Sequence, residues 1–306
     1  MKILITGGSG MVGKNLIHFF NKNTKHELFY PTSSDLNLLD NSAVKNYFKF
    51  IKPDAIIHCA GLVGGIQANI KSPYSFLSRN LIMGSNVIEA AISNNIEKLI
   101  NLGSSCMYPK DLDRELEEED ILTGALEPTN EGYAIAKITV AKLCEYAKKE
   151  FNFDYKTIIP CNLYGMWDKF DPKNSHMIPA VIRKLHSAKI NEENAEIWGD
   201  GTSRREFMYA EDIADFINHS LNNYNSLDDY TNVGLGIDYS IIDYYNEISS
   251  IVGYGGDFVF DLTKPSGMKR KQCSIKKQDK MSWKPKHTLR EGLTKTYEYY
   301  LENYGI

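Results

Sequence analysis

Short apolar blocks alternate with amphipathic stretches through the first 165 residues. Lys2 to Thr6 reads as a strand, Gly7 to Gly13 as a turn, and Val12 to Phe20 as an amphipathic helix. Further strands are predicted at Glu27 to Tyr30, Ala55 to Cys59, Lys98 to Leu102 and Asp154 to Ile159, with helices at Ser42 to Phe50, Asn80 to Asn94 and Tyr133 to Phe151. Strands that alternate with helices in this way predict an α/β fold built on a doubly wound parallel sheet. Beyond Tyr164-Gly165 the alternation weakens. Helices are predicted at Ser175 to Lys189, Asp212 to Leu221 and Leu289 to Leu301, with a strand at Ala195 to Gly199. The expected division is a first domain over residues 1–165 and a smaller mixed α/β lobe over 166–306, part of 205–240 returning to the first domain. The acidic run from Asp113 to Asp120 reads as a solvated loop or short helix without a function of its own.

Composition narrows the classes of partner. With 306 residues and 42% hydrophobic content the chain can bury a large core. Its net charge of -4 and scattered basic residues give no field for nucleic acid. No signal-peptide pattern and no long apolar span is visible, so the expectation is a cytoplasmic protein with no membrane partner. The cysteines, Cys59, Cys106, Cys144, Cys161 and Cys273, lack Cys-x-x-Cys spacing and are expected to be reduced thiols rather than disulfides or metal ligands.

Two motifs carry chemistry. Gly7-Gly8-Ser9-Gly10-Met11-Val12-Gly13 lies between the first strand and the first helix, where glycine permits a tight turn and a helix amino terminus offers N–H donors to a pyrophosphate. Tyr133 and Lys137 stand four apart on a predicted helix and share one face, so an ammonium can sit beside a phenol and lower its pKa. A dinucleotide site combined with a proton donor points to redox chemistry at a carbonyl. The second strand ends in Tyr30-Pro31-Thr32-Ser33-Ser34-Asp35, whose hydroxyls and turn amides favour NADP(H), with NAD(H) possible.

These motifs, with Gly103-Ser104-Ser105-Cys106-Met107-Tyr108-Pro109 and Asn162-Leu163-Tyr164-Gly165, resemble the extended short-chain dehydrogenases/reductases, which have a Rossmann fold. More narrowly the chain resembles the GDP-L-fucose synthase family. That likeness rests on Glu127-Pro-Thr-Asn130, Asn174-Ser-His176-Met-Ile-Pro179, Trp198-Gly-Asp-Gly201, Arg205-Glu-Phe207 and Lys264-Pro-Ser-Gly267, and so spans nearly the whole sequence. The resemblance implies an NADP(H)-dependent 3,5-epimerase and 4-reductase of a GDP-4-keto-6-deoxy sugar, and a homodimer formed through the helices at 80–94 and 133–151. It implies that Ser104 and Tyr133 polarise the C4 ketone, that Lys137 orients the nicotinamide ribose and tunes Tyr133, and that Cys106 and His176 form the epimerising pair. The cofactor is expected against Gly7, Gly10, Met11, Val12, Gly13, Ser33, Ala60, Leu62, Leu102, Gly103, Tyr133, Lys137, Pro160, Asn162, Leu163 and His176. Substrate contacts are expected from Ser105, Asn162, Lys184, Trp198, Arg205 and Lys271.

Those residue types suit the reaction. A C–H beside a ketone is acidified because its carbanion spreads onto the oxygen, and donors such as Ser104 and Tyr133 stabilise that charge. Inversion then needs a base on one face and an acid on the other, and an ordinary thiol near pKa 8.5 needs an electropositive neighbour to act as the base. The principal alternative is a reductase, or epimerase-reductase, of another GDP-4-keto sugar such as a heptose. A remote one is a non-catalytic dinucleotide sensor, which the Ser104, Tyr133 and Lys137 set argues against. A dehydratase is disfavoured because Ser104-Ser105-Cys106 stands where dehydratases usually carry Thr-Asp-Glu, and a simple 4-epimerase would not need Cys106 with His176. Gly165-Met166-Trp167-Asp168-Lys169-Phe170 departs from the Gly-Pro-His-Asp-Asn-Phe common in the family, so a different sugar pocket is expected. Ser9, Pro31 and Ser33 stand where some members carry arginine.

Overall fold

The computed structural model describes residues 1–171, 175–264 and 268–305. Asn174 and residues 265–267 of the quoted motifs lie outside the described residues. The strands are β1 (Lys2–Thr6), β2 (Glu27–Phe29), β3 (Ala55–His58), β4 (Lys98–Leu102), β5 (Lys156–Pro160), β6 (Asn162–Tyr164) and β7 (Ala195–Trp198). They continue with β8 (Arg204–Arg205), β9 (Phe207–Tyr209), β10 (Tyr230–Val233), β11 (Tyr239–Ser240), β12 (Phe258–Asp261) and β13 (Arg270–Lys271). The helices are α1 (Met11–Asn23), α2 (Asn41–Ile51), α3 (Ile66–Lys71), α4 (Pro73–Ser93) and α5 (Glu131–Phe151). After them come α6 (Met177–Asn191), α7 (Ala210–Asn222), α8 (Ile241–Val252), α9 (Lys276–Lys280) and α10 (Leu289–Tyr304).

Six strands pair in parallel in the order β2-β1-β3-β4-β5-β10. Ile3, Leu4 and Ile5 of β1 and Ala55, Ile56 and Ile57 of β3 are fully buried, as expected for strands covered on both faces. Leu16 and Phe20 of α1 and Phe216 and Ile217 of α7 fill one face. Val44 and Phe48 of α2, Val87 and Ala91 of α4, and Val140 and Cys144 of α5 fill the other. The chain crosses the sheet in opposite directions from β1, so a crevice opens at the carboxyl ends of β1 and β3. The glycine turn lies there. Gly7 takes φ +76°, and an added Cβ would meet Ala60 Cα at 2.6 Å; at Gly13 it would meet the Gly7 carbonyl oxygen at 2.3 Å.

Two readings differ from the structure. Helix α4 begins at Pro73, not Asn80, because proline at its first turn has no N–H to lose and a φ already suited to the helix. The short α3 precedes it. The acidic run contains the expected short helix, a 3-10 turn at Glu118–Asp120, but is only partly solvated: Glu118 and Asp120 are buried, Glu118 accepts the Asn232 N–H at 2.7 Å, and Leu116 pairs its backbone with Gln272 and Ser274. Lys277 of α9 and Arg114 supply its counter-charges. This segment joins β10 to the strand containing Lys271.

The carboxyl-terminal part builds a second core from α6, α8, α10 and the β7–β12 pair, centred on Ile178, Leu185, Ile197, Tyr244 and Leu293. Residues 210–233 return to the main sheet, α7 packing on α1 and β10 extending the sheet beyond β5. Glu206 ties the two parts together. Fully buried, it accepts backbone N–H groups from Leu235 (2.6 Å), Gly236 (2.9 Å) and Cys273 (2.8 Å).

Burial pushes the Glu206 carboxyl up to about 7 against the pull of those three N–H groups. A raised folded-state pKa binds the proton more tightly than the unfolded chain does, so this contribution is full below the unfolded pKa of 4.5 and is lost as pH rises through about 7. Glu206→Gln turns an NH2 toward a backbone N–H; denaturant melts should show about 1–3 kcal/mol lost and a flatter stability profile between pH 5 and 8. Gly13→Ala would press a methyl into backbone atoms that cannot move aside. Fluorescence titration with NADPH should show at least a roughly tenfold weaker affinity, about 1.4 kcal/mol.

Candidate active site

The carboxyl end of β4 organises the chemistry. Leu102 and Gly103 end that strand, and Ser104 caps the 3-10 turn Ser105–Met107 with its Oγ accepting the Cys106 N–H at 3.4 Å. Gly103 is held to β5 through the Ile158 carbonyl at 2.8 Å. The turn leaves Ser105 and Cys106 buried. Helix α5 crosses above and brings Lys137 to the same point, its Nζ donating to the Leu102 carbonyl at 2.8 Å. Lys137 is 6% exposed, and its Nζ lies 5.8 Å from the centre of the Tyr133 ring. Ser104, Cys106, Tyr133 and Lys137 therefore occupy one cluster.

Burial lowers the Lys137 pKa, partly offset by the Cys106 and Cys59 thiols. Its presence keeps His58 neutral: burial first and Lys137 second lower that imidazole to about 3, and His58 Nδ1 pairs with Thr6 Oγ1 at 2.8 Å. The expected lowering of Tyr133 by Lys137 is not what the geometry gives. Burial raises the phenol, the Cys106 charge raises it further, and a hydrogen bond with Ser104 pulls it back. The ammonium points at Leu102 instead. A phenol held in its protonated form suits a proton donor.

The cofactor-side residues fall along the crevice. Gly7, Gly10, Met11, Val12 and Gly13 form the turn and the first turn of α1, with Gly10 N–H donating to the Gly7 carbonyl at 3.0 Å. Ala60 abuts Gly7, and Leu62 is pinned through its N–H to Asn80 Oδ1 at 2.7 Å. Asn80 also donates to the carbonyls of Leu62 (3.1 Å) and Phe76, a buried clamp of the cofactor-facing loop that the helical pattern of α4 could not single out. Pro160 ends β5, while Asn162 and Leu163 lie in β6; the Asn162 amide donates to the Glu206 carbonyl at 2.9 Å. Ser33 is exposed in the turn after β2. There Asp35 is occupied by the N–H (2.9 Å) and hydroxyl (2.7 Å) of Thr32, which turns its charge into the turn.

On the substrate side, Arg205 and Lys271 are register partners in adjacent parallel strands β8 and β13. The field of Lys271 is the first among the charges that lower the Cys106 pKa, although burial still leaves that thiol raised. Glu127 acts on both Lys271 and Arg205 and is a functional candidate visible earlier only as part of a motif. Lys184 donates to the Glu196 carbonyl at 2.7 Å and to Tyr245 at 3.3 Å, so it braces β7. Trp198 is 51% exposed, with Lys264 Nζ 5.7 Å from its ring centre, an open aromatic surface suited to stacking on a base. His176 is exposed at the amino terminus of α6.

Sequence comparison extends this likeness over the whole chain. The chain is 54% identical over 303 residues to a GDP-L-colitose synthase from Yersinia pseudotuberculosis, covering 98% of each. It is 46% identical over 301 residues to a GDP-L-fucose synthase from Azorhizobium caulinodans, covering 98% of this chain and 96% of the other. Among solved structures, a GDP-mannoheptose C4 reductase from Campylobacter jejuni with NADP bound superposes with a TM-score of 0.89 at 30% identity, covering 98% of both chains. Residues 3–236 match the model of the NAD dependent epimerase/dehydratase family. With its glycine turn in the switch-point crevice and its Tyr133–Lys137 pair beside it, the chain belongs to that family.

Proposed function

We propose that the protein is an NADP(H)-dependent 3,5-epimerase and 4-reductase of a GDP-4-keto-6-deoxy sugar. The convergence of Ser104, Cys106, Tyr133 and Lys137 at the end of β4, beside the glycine turn, carries this reading. The glycine cradle fits a dinucleotide because a Cβ at Gly7 or Gly13 would fill the space against backbone. Bound NADPH supplies the hydride to C4. Tyr133 gives its proton to the C4 oxygen as charge develops there, Ser104 donates a hydrogen bond to the same oxygen, and Lys137 steadies the ribose. For epimerisation Cys106, with Lys271 as its strongest cationic influence, removes the proton beside the ketone and His176 returns one from the other face. Neutral hydroxyls around Ser33, with Asp35 engaged by Thr32, favour a 2'-phosphate, in keeping with relatives that bind NADP.

A C4 reductase of a GDP-4-keto heptose is the second reading. It is favoured by the exposure of His176, in contrast to the buried Cys106, and by the likeness to a mannoheptose reductase. In either case Arg205 and Lys271 would meet the diphosphate and Trp198 the guanine. We also propose a cytoplasmic homodimer joined through α4 and α5, where Tyr74, Ile82, Ile135 and Tyr146 are exposed. Among the described residues no helix is long and apolar enough to cross a membrane. Residues 1–165 would act as the dinucleotide-binding domain and 166–306 as the substrate lobe.

NADPH oxidation with GDP-4-keto-6-deoxy-mannose and with the corresponding heptose separates the two readings by which sugar turns over. Tyr133→Phe should cut reduction at least about 10²-fold, roughly 2.7 kcal/mol, with NADPH affinity little changed; near-normal turnover would remove Tyr133 from its role. Cys106→Ser should divert the reaction toward sugar reduced without inversion, because a serine hydroxyl is far less acidic than a thiol and yields its anionic base far less readily. NMR coupling constants of the product ring report this, and a fully inverted product from Cys106→Ser would sink the base assignment.

A further inference from the structure

The loop after β3 reaches both halves of the chemistry. At one end Gly61 lies against the reductive pair, where an added Cβ would stand 3.2 Å from Asn80 Oδ1 and 3.9 Å from Lys137 Nζ. At the other end a Cβ on Gly65 would stand 3.7 Å from the carbonyl oxygen of Ser175, the residue before His176. The chain between these two glycines can span at most about 15 Å. Its middle touches the centre as well: a Cβ on Gly64 would meet the Phe76 ring at 3.3 Å, and that ring stands edge-on to Tyr133 with centroids 6.4 Å apart. One short stretch of backbone therefore runs from Lys137, past the ring that packs on Tyr133, to the start of α6.

Such a stretch has little to hold it by its own side chains. Gly61, Gly64 and Gly65 have none, Val63 is exposed, and glycine has the widest backbone freedom to lose. Two buried asparagines fix it instead. Asn80 closes on Leu62 from both sides, accepting its N–H at 2.7 Å and donating to its carbonyl at 3.1 Å. Asn69 of α3, 6% exposed, donates to the carbonyls of Gly64 at 2.9 Å and Gly65 at 3.1 Å. Its Oδ1 is buried without a hydrogen-bond partner among the described residues. A buried acceptor left unpaired is costly, so this side chain keeps its place through its two donated bonds. The clamps divide the loop between them: Asn80 holds the end beside Lys137, and Asn69 holds the end beside Ser175.

We propose that Asn69 is a positioning residue for the sugar: by fixing the Gly64 and Gly65 carbonyls it sets Val63–Gly65 as the wall of the ketone site between Tyr133 and His176, and so governs how the sugar ring is presented to His176. The proposal rests on the reading of His176 as the acid of epimerisation. Val63, exposed between two clamped neighbours, gives the wall an apolar face suited to the C–H face of a sugar ring. A proton returned to a ring carbon needs its donor within reach of that carbon, and a misplacement of about 1 Å costs about 10²-fold in such a step. The reductive end is held independently of Asn69. Lys137 is tied to Leu102 and the Leu62 backbone to Asn80, so loosening Gly64 and Gly65 leaves the cofactor side in place.

Two variants of the full chain test this. Asn69→Asp keeps the shape but turns acceptors alone toward two carbonyls, and Asn69→Ala removes both donors without adding charge, so it carries the test where the aspartate variant does not fold. Each is incubated with GDP-4-keto-6-deoxy-mannose and NADP+ in heavy water, and NMR follows deuterium entering the sugar. Deuterium entry should fall about 10²-fold, and with NADPH the product should shift toward sugar reduced without inversion, while NADPH affinity by fluorescence titration stays within about twofold. Unchanged deuterium entry in a folded variant overturns the proposal. A fall in deuterium entry matched by an equal loss of NADPH affinity also overturns it, because a merely structural residue would loosen both ends of the loop. If the wild type takes up no deuterium, the epimerase reading fails, and the KM of the GDP-sugar that is reduced then decides: a roughly tenfold rise at unchanged NADPH affinity keeps Asn69 in its role, and an unchanged KM removes it.

Discussion

The buried ammonium of Lys137 is the constraint around which this molecule is arranged. It lies inside the protein with a backbone carbonyl, that of Leu102, as its direct partner, and among the described residues no carboxylate forms an ion pair with it. Such a cation is tolerated only where the fold delivers a carbonyl from a rigid strand end. That requirement ties α5 to β4 and β4 to β5. Once the tie is made, Tyr133 one helical turn earlier, and Ser104 and Cys106 just past the strand, have little choice of position. Burial first, and the same cation second, keep His58 neutral.

A second set of constraints holds the substrate lobe against this centre. Glu206, between Arg205 and Phe207, collects N–H groups from two separate segments, and its neighbour Arg205 is in register with Lys271. The cation pair is therefore set by the same carboxylate that joins the lobes. Lys271 in turn draws the Cys106 pKa down, against the larger upward push of burial. Glu127 stands opposite and tempers both cations.

Much of the fold was legible because it is written locally. The apolar run of β1, the glycines after it and the four-residue step from Tyr133 to Lys137 each carry their meaning within a few residues. Errors arose where the partner is remote in sequence. The acidic run was read as solvated because Asn232 and Lys277, which pair with it, lie more than a hundred residues away. Asn80 looked like one polar position on an amphipathic helix, and only the folded loop at Leu62 reveals it as a clamp. The lowering of Tyr133 by Lys137 follows from spacing alone, whereas in the fold burial and then Cys106 raise the phenol and the ammonium is engaged by the Leu102 carbonyl.

The central claim is that one cluster exchanges protons beside a ketone and also guides a hydride to it. The source of each hydrogen in the product tests this most directly. Wild-type protein is given GDP-4-keto-6-deoxy-mannose and unlabelled NADPH in heavy water, and the product is read by proton and deuterium NMR. The account requires protium at C4, delivered from the cofactor, and deuterium at the neighbouring carbons C3 and C5, delivered from solvent. Protium at all three carbons in a reduced product would contradict the epimerase half of the account, and deuterium at C4 would contradict direct hydride transfer.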